Sequence, residues 1–157
     1  MGENEIINYL LRLSDAKLVL MKDLLKLTKE QGNILETEKD EILDKLIQQK
    51  QTIIDKIDLL DREFVEKYSL LKKELGIESL QELKGQRMLD LQELKKKVHE
   101  IVEVVETIRP LDQENTEKIK KNIAKAKHNL KTIKTGRKAV TGYNNPFMET
   151  SSIFIDK

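Results

Sequence analysis

From Leu80 to Ile133 apolar side chains recur every three or four positions, a spacing that only a helix turns into one continuous face. Leu80, Leu83, Leu91, Leu94, Val98, Ile101, Val105 and Ile108 fall on this stripe, with Arg87 among them. After a polar interruption at Pro110, Asp112 and Asn115 it resumes at Ile119, Ile123, Ala126, Leu130 and Ile133. One very long helix is implied. Pro110 deletes a backbone donor and crowds the preceding turn, which predicts a kink. The competing reading is a full break at 108–114 with Asp112 capping a fourth helix. Beyond Gly136 the periodicity stops, and Tyr143, Phe147, Ile153, Phe154 and Ile155 stand among Gly142, Asn144, Asn145 and Pro146.

Two shorter helices precede it. Ile6, Leu10, Leu13, Leu20, Leu24, Leu27 and Ile34 form a row on the first, interrupted by Ser14, Lys17, Thr28 and Gln31. Gly32 and Asn33 weaken its end, and Thr37 with Asp40 makes an imperfect capping box for the next helix. The second runs through Ile42, Leu46, Ile53, Ile57, Leu60 and Phe64 to Leu75, where Gly76 fits the left-handed position past a helix end. Ser79 with Glu82 then signals the third start. Short connections make neighbours antiparallel. The predicted fold is all-α, an elongated antiparallel three-helix bundle or coiled coil with a long, kinked third helix and a flexible C-terminal tail. One bundle domain is expected over 1–135, with helices at about 4–35, 38–75 and 79–134, and a recognition tail over 136–157. The end of the third helix overhangs its neighbours and needs a partner, a folded-back tail or another subunit.

Composition narrows the function classes. Charged residues make up 36% of the chain against 38% hydrophobic, and there are three Phe, three Tyr and no Trp, so the core is a Leu/Ile seam. The net charge of +1 hides an asymmetry: residues 36–66 hold ten acids against five bases, and 112–140 nine bases against three acids. No cysteine is present, which excludes disulfides and thiolate nucleophiles. No signal run and no apolar stretch near the ~20 residues needed to span a bilayer is seen, so a cytoplasmic protein is expected.

Nothing points to catalysis. His99 and His128 are too far apart to share a metal, His99 with Glu103 is a single imidazole beside a carboxylate, and no phosphate loop or nucleophile elbow occurs. No enzyme activity, cofactor or metal is expected. Lys50 and Arg87, which interrupt apolar rows, read as stems laid over the core with their charges sent to water. Asn115 on the seam reads equally as a register-fixing amide or a partner contact. The tail aromatics read as a recognition segment that orders on contact, against the alternative of folding back on the bundle.

Taken in order, a Leu-rich first helix with Glu30, Lys50 in Ile-Ile surroundings, Arg62 closing Leu-Leu-Asp-Arg, Glu114-Asn115 on a long third helix and a later Tyr143 resemble the FlgN family of flagellar export chaperones. The resemblance implies a chaperone that binds helical C-terminal ends of hook–filament junction proteins of the FlgK/FlgL class and keeps them unpolymerised. It further implies delivery to the export gate, where a tail aromatic contacts the FlhA component. Client-binding candidates are Asn115, Ile119, Ile123, Ala126, Leu130 and Ile133; docking candidates are Tyr143, Phe147 and Phe154. Pro110 and the Ile153-Phe154-Ile155-Asp156 ending depart from the family pattern. The alternatives are a self-associating coiled-coil adaptor, which includes a homo-oligomer, and a basic nucleic-acid or membrane-surface binder using Lys118 to Arg137; nucleic acid is not the expected partner.

Overall fold

A computed structural model of the chain describes residues 2–37, 39–79 and 86–133, apart from the side chains of 86–90 and 132–133. Within these residues there are three helices and no strand: α1 (Glu3–Leu35), α2 (Asp40–Leu75) and α3 (Gln86–Ile133). The all-α bundle read from the periodicity is therefore the fold. α3 runs unbroken through Pro110, so the fourth helix of the competing reading does not form. Pro110 is exposed, where its missing donor faces solvent rather than a core that has no water to compensate.

The helix ends use local chemistry. Thr37 donates its backbone N–H to Ile34 O at 2.9 Å and its hydroxyl to the same carbonyl at 2.9 Å, so it closes α1 instead of capping α2. The first α2 bond is donated by Leu43 N to Lys39 O at 3.1 Å, which makes Lys39 the residue at the cap. At the other end Gly76 takes φ +67°, and Ile77 N donates to Lys72 O at 3.0 Å. That is the left-handed closure expected there, and glycine has no Cβ to oppose it. The expected α3 start at Ser79 and Glu82 borders or falls within 80–85, outside the described residues.

The described residues form two compact units, one drawn from Met1–Asp23 with Ile53–Val104 and one from Leu24–Thr52 with α3 from Val105 to Ile133. In the first, Ile6, Leu10, Leu71 and Leu91 are fully buried, Leu94 nearly so, and Phe64 and Tyr68 pack against them with rings stacked at 6.1 Å. Tyr9 and Lys17 on α1 meet Glu63 and Asp61 on α2, positions that descend as α1 ascends, the signature of antiparallel neighbours. Burying these Leu and Ile side chains contributes about 1.5–3 kcal/mol each. The second unit has a smaller cluster of Leu35, Leu43 and Ile119, with Ile34, Ile47 and Ile123 against it. Here Thr28, Gly32 and Leu35 of α1 bond Asn115, Lys118 and Asn122 of α3 in ascending order, so α1 and α3 run parallel.

Candidate functional site

Thr28 and Gln31 of α1, Lys50 of α2, and Asp112 and Asn115 of α3 meet one another in the second unit. Thr28, Gln31 and Lys50 are 0% exposed, Asp112 2% and Asn115 3%. Lys50 Nζ donates to Gln31 Oε1 at 2.7 Å and to Asp112 Oδ1 at 3.2 Å. Asn115 Nδ2 donates to Thr28 O at 2.9 Å and to Gln31 Oε1 at 3.4 Å, so one amide oxygen serves donors from two helices and its orientation is fixed. Burial pulls the Lys50 ammonium down to about 8, and the Asp112 carboxylate beside it acts in the opposite sense. Lys50 is thus protonated at neutral pH and paired inside the bundle.

Its charge does not reach water along an apolar stem, as the sequence suggested. A side chain can snorkel only where its tip has a path to solvent, and Lys50 faces α1 and α3 instead. Asp112 is its counter-ion, not a helix cap. Gly32 is part of the same packing: a Cβ there would stand 2.9 Å from Asn115 Oδ1, so glycine permits the close approach of α1 to α3. Arg87's side chain lies outside the described residues.

Continuing along α3, the apolar stripe divides. Ile119 is 5% exposed and packs with Leu35 and Leu43, placing it, like Asn115, inside the chain's own core. Asn122 Nδ2 donates to the carbonyl of Leu35, the last residue of α1, at 3.4 Å. From Ile123 to Ile133, α3 continues for about 16 Å at 1.5 Å per residue. Ile123, Ala126 and Leu130 on this stretch are partly exposed, while Lys120, Lys121, Lys125, Lys127 and Lys131 are exposed around them. The Ile133 side chain and all of Tyr143, Phe147 and Phe154 lie outside the described residues.

His99 Nε2 and Glu103 Oε1 are 3.0 Å apart one turn along α3, both exposed, and His128 is exposed elsewhere. Among the described residues no group of three or more His, Asp or Glu side chains is placed to hold a metal. No helix among them is long and apolar enough to cross a membrane.

The described residues thus form a helical bundle whose third helix carries a partly exposed apolar stripe at Ile123, Ala126 and Leu130. Comparison with known proteins agrees on the family: the model described as FlgN protein matches residues 1–148. No match was found among curated proteins or among solved structures. The matched span contains Glu30, Lys50, Arg62, Glu114, Asn115 and Tyr143 and covers nearly the whole chain of 157 residues. The chain belongs to the FlgN family of flagellar chaperones.

Proposed function

We propose that this chain is a cytoplasmic export chaperone that holds helical C-terminal segments of hook–filament junction proteins of the FlgK/FlgL class, prevents their premature assembly and delivers them to the export gate. The observation that carries this reading is the α3 stripe: Ile123, Ala126 and Leu130 remain partly exposed where α1 has ended. A helix laid along them would bury apolar area at about 25 cal/mol per Å², a contribution to holding that needs no chemistry. Asn115 and Ile119 root this face from inside, fixing where α3 leaves its cover, and Ile133 extends it. The aromatics Tyr143, Phe147 and Phe154 form the segment that contacts the FlhA component at the gate.

Co-purification of the tagged chain with secreted flagellar proteins tests the reading, with Ile123→Asp and Leu130→Asp as the discriminating variants. Both are expected to lose client binding while circular dichroism shows an unchanged bundle, because neither side chain is fully buried. Retained client binding in both variants removes α3 as the holding face. A self-associating adaptor would instead show mass rising with concentration in sedimentation without any client.

A further inference from the structure

The partly exposed end of α3 is framed by charge of one sign, and we propose that its occupant is an amphipathic helix of another protein whose apolar stripe is bordered by Asp and Glu side chains. This rests on the chaperone reading above and adds the chemistry of the partner. From Lys118 to Lys131 there are six lysines and neither Asp nor Glu. At 3.6 residues per turn, Lys120, Lys127 and Lys131 line one edge of the Ile119–Ile123–Ala126–Leu130 stripe, and Lys118 and Lys125 the other. Cationic residues on both edges of an apolar seam are the arrangement by which coiled coils select partners with acids at the facing positions.

The chain supplies its own example where α1 still covers the seam. Lys118 Nζ stands 3.0 Å from Glu36 Oε1 at the end of α1 and 3.9 Å from Glu114 Oε1 on α3. Lys125 is one heptad further on, where α1 has ended, and is exposed. On the opposite edge Lys127 and Lys131 are one turn apart and both exposed. Like charges at that spacing oppose a helix, and a carboxylate brought between them removes the repulsion. Other occupants fit less well. A second copy seated through this face would bring lysines against lysines. Nucleic acid would neutralise the lysines but offer nothing to Ile123, Ala126 and Leu130. Those three extend, in register, the seam that α1 and α2 cover around Ile119, so another helix is the matching shape.

Three synthetic amphipathic peptides of about three heptads, sharing one Leu/Ile stripe and carrying Glu, Gln or Lys at the flanking positions, test this against the full chain by fluorescence anisotropy. The Glu peptide is expected to bind about tenfold more tightly than the Gln peptide, with the Lys peptide weakest. The double variant Lys127→Glu/Lys131→Glu, at two exposed positions, is expected to invert the order of the Glu and Lys peptides with unchanged helicity. Equal affinity for Glu and Gln peptides overturns the proposal and leaves an apolar holding face standing, as does failure of all three peptides while flagellar proteins still co-purify. An oligothymidylate, or phosphatidylglycerol–phosphatidylcholine vesicles, displacing the Glu peptide with a steep salt dependence overturns it in favour of a phosphate-bearing surface. Failure of the chaperone reading shows separately, as flagellar proteins that neither co-purify nor respond to Ile123→Asp.

Discussion

An ammonium shut away from water is tolerable only while its charge is answered, and for Lys50 the answer comes from a carboxylate on α3 and an amide on α1. Asp112→Ala leaves that charge buried without its counter-ion, and is expected to cost about 3–5 kcal/mol in urea denaturation. Replacing both partners, Lys50→Met with Asp112→Leu, is expected to be neutral or to stabilise by about 1–4 kcal/mol, since the desolvation of two ions disappears with them. The pH dependence has a definite sign. Lys50 titrates near 8 in the folded chain against an ordinary 10.5. Below pH 8 both states hold the proton and folding bears the full cost of burying it. Between the two values the unfolded chain holds a proton that the folded chain has released, so stability climbs with pH, by roughly 3 kcal/mol across the whole window. Urea midpoints between about pH 8 and 10 check this, with Lys50→Met expected to lack the rise. Above that range Tyr9 contributes in the opposite direction, because its hydrogen bond to Glu63 raises its phenol.

At the scale of elements, the closeness of α1 and α3 depends on a missing side chain. Gly32→Ala in an ordinary helix gains about 1 kcal/mol from propensity alone. Here the new Cβ meets Asn115 Oδ1 at 2.9 Å, and that amide is held by Thr28 O. The substitution is expected to destabilise by about 1 kcal/mol net, the overpacking outweighing the propensity. In an Asn115→Ala background the same change is expected to stabilise, and a double-mutant cycle from urea melts reads that inversion. The sequence presents Gly32 as a residue that loosens the end of α1, because local propensity is blind to what stands opposite. Helix existence was legible throughout, since a three/four period is a local property of the chain. The pairing of Lys50 with Asp112 spans 62 positions, and no local pattern announces it. One signal was present nonetheless: Asp112 stands four after Ile108 and three before Asn115, on the stripe itself, and a seam acid implies a seam base. Thr37 is ambiguous in the sequence for the opposite reason, since its hydroxyl can serve either helix it stands between and only geometry decides.

For the whole molecule, holding a client and handing it over call for different surfaces, and the proposed function joins both tasks in one chain. Truncation after Gly136 is expected to leave helicity and melting largely unchanged, because the apolar stripe of the sequence ends at Ile133. Tyr143→Ala, beside Phe147→Ala and Phe154→Ala, is expected to lower secretion of the client without changing its affinity in solution. Affinity falling in step with secretion would assign the aromatics to the clamp. Which residues of the stripe stay accessible was only half legible: Asn115 and Ile119 share the period of Ile123 and Leu130, but periodicity records a face and not where the covering helix stops. The lysines along that stretch have a practical corollary. Trypsin cleaves after lysine and needs an accessible, locally opened chain, so the end of α3 past Asn122 is a row of cut sites on the part of the helix with least cover. A seated partner shields them, and the rate at which the fragment beyond Lys125 is released becomes a label-free gauge of how much of the protein is occupied.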